Sequence, residues 1–302
     1  MSEVLRFDGK VAVVTGAGGG LGRAHALVLA GRGAKIVVND IGTAVDGSGG
    51  SADPADAVAA EINVAGGHAV ADSHSVATEE GGTAIIAHTL DAFGRIDILV
   101  NNAGTTGRTS MAHFDVERFN LAIGSHLLGA FWTTKAAWPY LEGQGYGRIV
   151  NTTSGVGYFG MGGATVYAAA KMGIDGLTRS LAIEGEPHGV RCNSLAPFAQ
   201  TRMAGTVYGE LADKLDSTLV SSVVAYLAHE DCSVNGRVLS AGGGRVAEIF
   251  IGATIGYFDE ALTPEVVAAH VAEATDRAGF IEPTDALDEV AIVARLHEGS
   301  GA

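Results

Sequence analysis

Lys10-Val11-Ala12-Val13-Val14-Thr15-Gly16-Ala17-Gly18-Gly19-Gly20-Leu21-Gly22 is a short β-branched, apolar run that ends abruptly in glycines. Such a run fits a central parallel strand buried on both faces. From Arg23 to Arg32 the apolar residues Ala24, Leu27, Val28 and Leu29 recur at helical spacing. Strand, glycine turn and helix together make a phosphate cradle: bare backbone can approach a pyrophosphate, and the helix N-terminus offers unpaired N–H groups and positive dipole. Residues 35–40 form a second buried strand that ends in Asp40, about twenty residues past the turn. A carboxylate there accepts from both hydroxyls of an adenine ribose and repels a 2′-phosphate, favouring NAD over NADP. The bland alternative for Asp40 is a loop carboxylate or a helix cap.

Outward from this unit the alternation repeats. Residues 68–71, 96–100, 148–153, 190–196 and 237–240 read as strands, and residues 54–65, 83–93, 119–141, 166–181 and 215–229 as helices. The fold class this predicts is α/β: a Rossmann-type, doubly wound, seven-stranded parallel sheet with helices on both faces. One domain is expected over residues 1–245, followed by a partly helical extension over 246–302, in which 263–275 reads as a helix behind a Thr-Pro cap. Residues 41–51, dense in Gly and Ser, read as an exposed loop with no function evident from the residues.

Composition narrows the partners. Of 302 residues, 19 are Lys or Arg and 34 Asp or Glu, a net charge of −15, and no basic block stands out. Nucleic acid is therefore not an expected partner. With 47% hydrophobic residues, no run long enough to span a bilayer and no basic-then-apolar leader, the chain is expected to be soluble and cytoplasmic. Cys192 and Cys232 lack C-x-x-C spacing, and the ten histidines lack H-E-x-x-H spacing. Neither a disulfide framework nor a catalytic metal is expected.

The fifth strand delivers Ser154 to its C-terminal end, where ligands bind in open α/β sheets. Tyr167 and Lys171 stand four positions apart, one turn apart on one helix face. A cation so placed stabilises a phenolate and brings tyrosine, whose free pKa is about 10, into range as a base. Ser154 would then hold the substrate oxygen; the bland alternative is an amphipathic helix that merely carries both residues. Asn101 and Gly104 follow the fourth strand, where small residues permit close cofactor approach, although an Asn there can equally tie loops together. His126, among Leu127, Leu128 and Phe131, reads from its surroundings as a packed core imidazole.

Taken in order, these motifs resemble the short-chain dehydrogenase/reductase family over about residues 7–245. The family's T-G-x-x-x-G-x-G pattern is met by Thr15, Gly16, Gly20 and Gly22, with Leu21 between the last two. The resemblance implies hydride exchange between a nicotinamide and a carbinol carbon. Tyr167 would exchange the hydroxyl proton, Ser154 would orient the oxygen, and Lys171 would lower the tyrosine pKa and hold the nicotinamide ribose. It further implies cofactor contacts at Ser75, Val76, Pro197 and Thr201. The family's acid that reads the adenine amino group is replaced by His74, so only backbone contacts at Ser75 and Val76 carry over. Many members have an Asn where this chain has His126. That departure, with the runs at 129–141, 146–155 and 180–197 and the Gly-rich insertion at 41–51, resembles the family's (3R)-hydroxyacyl-CoA dehydrogenase subgroup. The resemblance thus gives His126 a site role, binding a relay water or shuttling protons.

The substrate expected is a (3R)-3-hydroxyacyl-CoA, including a sterol side-chain thioester, or a 17β-hydroxysteroid. Arg108, Arg202 and Arg245 are candidates for CoA phosphates, and Phe159, Met161, Phe198 and Met203 for an apolar cleft. Residues 202–214 are short for a lid, which suits a bulky substrate. An NADPH-dependent 3-oxoacyl thioester reductase conflicts with Asp40. A non-catalytic NAD-binding scaffold has no need of the complete Ser154, Tyr167 and Lys171 set. The resemblance also implies a homodimer or homotetramer formed through the helices over 167–181 and 215–229.

Overall fold

All five residues of β1 (Val11–Thr15) are buried, and their side chains alternate between two cores. Ala12 and Val14 join one with Ile36, Val38, Ile98 and Val100, whereas Val13 joins the other with Val37, Leu99 and Ile149. The two-residue period of a strand thus makes one sheet the partition between two apolar layers. The computed structural model in which this is seen describes residues 4–44, 46–105, 109–201 and 208–299.

On the first face lie α1 (Gly20–Ala30), α2 (Asp53–Val64) and, much later in the chain, α8 (Ser217–Ala228), which contribute Leu29, Ile62 and Val224. The second face carries α3 (Glu79–Phe93), α5 (Gly129–Gly143) and α7 (Thr165–Gly185), through Ile85, Leu141 and Ala182. Between them run β2 (Lys35–Asn39), β3 (His68–Asp72), β4 (Ile98–Asn101), β5 (Gly147–Thr152), β6 (Val190–Pro197) and β7 (Val238–Gly242). The spatial order is β3-β2-β1-β4-β5-β6-β7, with a further strand outside β7. Val13 is in register with Val37 on one side and Leu99 on the other, all parallel, so the winding reverses beside β1. A crevice opens at that switch point, beyond the strands' C-terminal ends.

Among the described residues the sheet has eight strands rather than seven. Gly243 and Gly244 both have positive φ, +56° and +81°, and make a two-residue turn into β8 (Arg245–Ile249). A turn that tight returns the chain antiparallel. The mixed, mostly exposed β8 lacks the apolar signal by which the other strands are legible.

Residues 119–141, expected as one helix, are α4 (Val116–Ile123), a wide π turn over Gly124–Leu128, and α5. A short helix α6 (Gly155–Phe159) intervenes after β5. Among the described residues no helix is long and apolar enough to cross a membrane, and no group of His, Cys, Asp or Glu could hold a metal ion.

The chain divides into two compact units, Met1–Glu248 and Ile249–Ala302. In the second, Ala253 bridges Ile281 antiparallel, Phe250 stacks on Phe280, and α9 (Pro264–Ala274) begins where the Thr263 hydroxyl accepts from the Val266 N–H. α10 (Ala286–Gly299) follows, unforeseen by the sequence reading.

Candidate active site

A cleft of about 430 Å³ runs along the strand ends from the glycine turn to Lys171. Its floor is the turn itself. Gly16 and Gly20 have φ of +65° and +53°, conformations that only glycine adopts without strain. A Cβ on Gly22 would strike the Gly16 carbonyl, and one on Gly16 the Ala103 backbone. α1 starts with no side-chain cap, which leaves the first-turn N–H groups available to an anion. The bare backbone, the uncapped helix and the acid at Asp40 fit a nicotinamide dinucleotide.

Asp40 lines the cleft, its Oδ2 accepting from the Gly18 N–H at 2.8 Å and its Oδ1 from the Gly42 N–H at 2.7 Å. Each carboxylate oxygen keeps a second lone pair for a ribose hydroxyl. The Gly/Ser-rich loop after β2 has a place here that its sequence did not reveal. Thr43, Ala44 and Gly47 line the cleft, and Gly47 sits so close to Leu121 and Thr105 that a Cβ there would press on both.

Of the expected cofactor contacts, Gly16, Gly20, Leu21, Gly22, Ser75, Val76, Gly104, Pro197 and Thr201 all border this one cleft. Asn101 does not. Its side chain is buried, donating to Asn151 Oδ1 at 2.9 Å and Thr134 Oγ1 at 3.1 Å and accepting from Thr133 Oγ1 at 2.7 Å. Asn101 closes a hydrogen-bond network beneath the strand ends, and its neighbour Asn102 borders the cleft, its Nδ2 donating to the Thr15 and Gly16 carbonyls. The alternation of a strand turns adjacent side chains to opposite faces, so only one of the pair can look outward.

At the cleft's far end Ser154 caps α6, accepting from the Val156 N–H at 3.2 Å, and its hydroxyl faces that of Tyr167. Tyr167 and Lys171 share one face of α7, with Lys171 Nζ 5.6 Å from the Tyr167 ring centre and donating to the Thr152 carbonyl at 2.6 Å. Burial pushes the Lys171 pKa down to about 7. Burial also raises that of Tyr167, against the opposing pull of the Ser154 hydrogen bond. Lys171 is turned onto a backbone carbonyl and is not among the groups that move the Tyr167 pKa here, so desolvation sets its direction.

His126 lies in the π turn, 3% exposed, its ring edge-on to Tyr167 at 5.1 Å and 90°. Single π turns recur at functional sites because the extra residue re-aims a side chain. Its Nε2 is 2.8 Å from the Thr105 carbonyl and 3.2 Å from the Thr105 N–H. One nitrogen cannot serve both, and the shorter contact assigns the proton to Nε2. Nδ1 is left as a buried acceptor with no protein partner among the described residues. Burial, reinforced by the Lys171 charge, holds the imidazole well below its usual pKa, so it is neutral.

The substrate end is lined by Leu121, Val156, Met161 and Ala164, with Tyr208 a second phenol near Tyr167. The sequence carries no signal for Tyr208, which stands outside every motif. Phe159 is 78% exposed and Phe198 packs on Gly242, so neither borders the cleft. Arg245 borders a separate groove between α8 and β7. Arg108, Arg202 and Met203 lie outside the described residues.

The family model described as short chain dehydrogenase matches residues 10–210. Peroxisomal multifunctional enzyme type 2 of Drosophila melanogaster is 48% identical over 241 residues, which are 80% of this chain and 40% of that protein. Its full-length structure superposes with a TM-score of 0.83 at 36% identity, covering 98% of this chain and 50% of the other. The chain thus spans about two fifths to one half of that relative. A Mycobacterium tuberculosis hydroxyacyl-CoA dehydrogenase is 38% identical over 256 residues, 80% of this chain and 79% of its own length. A 7α-hydroxysteroid dehydrogenase complexed with NADH and 7-oxo glycochenodeoxycholic acid superposes with a TM-score of 0.71 at 29% identity, over 79% of this chain and 95% of its own.

Proposed function

Since the chain belongs to the short-chain dehydrogenase/reductase family, we propose that it is an NAD-dependent oxidoreductase that oxidises a secondary alcohol to a ketone, the alcohol being a (3R)-3-hydroxyacyl-CoA. The observation that carries the reading is the Ser154–Tyr167–Lys171 arrangement at one end of a cleft whose other end is Asp40. Likeness to a relative named hydroxyacyl-CoA dehydrogenase supports the thioester. The preference for NAD rests on Asp40, whose charge opposes a 2′-phosphate. Bound nicotinamide would supply the hydride acceptor.

The chain's own residues then do three things. Ser154 Oγ, held at the head of α6, orients the substrate hydroxyl. Tyr167, facing it, takes the hydroxyl proton, a transfer that a dry pocket disfavours unless a cation is near. Lys171 is that cation, and through the Nδ1 lone pair of His126 it has a route for exchanging protons by way of a bound water.

A second reading, a 17β-hydroxysteroid as substrate, is favoured by the lining: among the described residues Lys171 is the only Lys or Arg at the cleft. NADPH-dependent reduction of a 3-oxoacyl thioester is opposed by Asp40. A scaffold that holds NAD without turnover leaves the tyrosine without a role. We place the enzyme in the cytoplasm as a homodimer or homotetramer formed through α7 and α8, where Ile183 and Leu219 are exposed; a monomer by light scattering would refute the assembly.

The deciding experiment follows reduction of NAD and NADP with the (3R) and (3S) hydroxyacyl-CoA isomers and a 17β-hydroxysteroid. Selective turnover of the 3R thioester with NAD is expected, and a Tyr167→Phe variant should lose on the order of a thousandfold in kcat. Faster steroid turnover selects the second reading, and activity retained in the variant refutes the mechanism.

A further inference from the structure

Ser154 stands at the head of α6, a helix of only five residues. A helix that short does not hold itself, so its place depends on what it packs against. Phe159, at its end, is 78% exposed and gives it no hold on that side. The hold comes from α7. Gly157 approaches so closely that a Cβ there would lie 3.3 Å from both Lys171 Cβ and the Met172 nitrogen, which puts the docking point at the lysine of the site. Thr153, just before the serine, ties the same place by donating from Oγ1 to the Lys171 carbonyl at 2.8 Å.

One turn further along α7 is the buried carboxylate of Asp175, whose Oδ2 accepts from Arg179 Nε at 3.0 Å. Its Oδ1 and the hydroxyl of Tyr158 on α6 are both buried, and neither has a hydrogen bond of regular geometry among the described residues. The two groups face each other. Burial, with the carboxylate beside it, raises the Tyr158 pKa, so the phenol keeps its proton and is a donor. Two such atoms left apart in a dry seam are costly, and a shared proton removes the cost. Thr153 Oγ1 also lies near, but a neutral oxygen accepts less strongly than a carboxylate.

We propose that Tyr158 and Asp175 are positioning residues for Ser154. The Tyr158 hydroxyl donates to Asp175 Oδ1 and so fixes α6, with the serine at its head, against the helix that carries Tyr167 and Lys171. The inference rests on the reaction proposed above, in which Ser154 orients the substrate hydroxyl.

The test is a double-mutant cycle on the whole chain: parent, Tyr158→Phe, Ser154→Ala and the double variant. Each is read as the single-turnover rate of NAD reduction by the (3R)-hydroxyacyl-CoA, with enzyme in excess so that slow variants stay measurable. Tyr158→Phe removes one oxygen and should slow the parent by on the order of tenfold, the effect of a slightly misplaced group. In the Ser154→Ala background it should change the rate by less than about twofold, because no serine is left to place. A merely structural role would carry the same loss into both backgrounds, and that outcome would overturn the proposal, as would a Tyr158→Phe rate equal to the parent's. Asp175→Asn, which keeps an acceptor oxygen, should retain most of the rate, and Asp175→Leu should match Tyr158→Phe; the reverse order would also overturn it. Amide exchange over residues 154–160 reads the clamp apart from turnover and should quicken severalfold in Tyr158→Phe. Unchanged exchange would overturn the proposal and leave the functional reading intact, whereas a parent that oxidises none of the alcohols would overturn both.

Discussion

Lys171 shows how far a site residue can stand from its most stable state. It is 3% exposed and titrates at about 7 because burial disfavours its charged form. Below that pH both folded and unfolded chains hold the proton, and the full cost of burying it falls on the folded state. Between about pH 7 and 10 the folded chain has released the proton and the unfolded chain has not, so the penalty fades as pH rises. Lys171→Met should therefore raise thermal stability, by on the order of a few kcal/mol at pH 6 and less at pH 9, while activity falls at least about a hundredfold. Melting curves at the two pH values check this, and a variant less stable than the parent at pH 6 would refute it. The meeting of Tyr167, Lys171, Ser154 and Asp40 at one cleft was legible because each residue type is tied to a motif and a spacing. The directions in which the proton affinities of Tyr167 and Lys171 move were not, since they depend on how much of the fold closes over them.

The π turn is the element that sets His126 against Tyr167. Gly104, on the loop after β4, comes so near that a Cβ there would fall inside the His126 ring atoms Cε1 and Nδ1. Held at Thr105 and against Tyr167, the ring has little room to yield. Gly104→Ala is therefore expected to cost about 1–3 kcal/mol of stability and at least roughly tenfold in kcat, measured by urea unfolding and steady-state kinetics. Unchanged values for both would show that His126 is not fixed where it is seen. The run around His126 has unbroken helical periodicity, so nothing in it announced a π turn; one extra residue per turn shifts a face without altering the apolar pattern. β8 escaped for the opposite reason, as an exposed hairpin arm has no apolar alternation to display. β1 to β7 and their covering helices were legible because burial on both faces demands unbroken apolar strands.

Across the whole molecule two buried imidazoles make stability depend on acidity. Burial drives His25 down to about 3, with Nδ1 2.7 Å from Ser221 Oγ and Nε2 without a partner among the described residues, and holds His126 well below its usual range. Below about pH 6.5 the unfolded chain takes up protons at both positions that the folded chain refuses. Unfolding thus binds protons, and stability should fall by roughly 1.4 kcal/mol per pH unit for each imidazole as pH drops from about 6 toward 4. Urea titrations at pH 7.5 and 5 measure the slope, and His25→Gln should flatten it by about half. Equal stability at the two pH values would sink the assignment.

The strand order also governs when the cleft can exist at all. Its floor follows β1, but the facing walls come from Asn102 after β4, His126, Tyr167 on α7 and Pro197 at the end of β6. A ribosome adding about 5–20 residues per second delivers Pro197 roughly 10–40 s after Lys10. Throughout that interval the emerging chain has a glycine turn and an acid but no enclosure for a nucleotide. The cofactor is thus a latecomer to the protein's birth, able to reward a finished molecule and unable to chaperone an unfinished one.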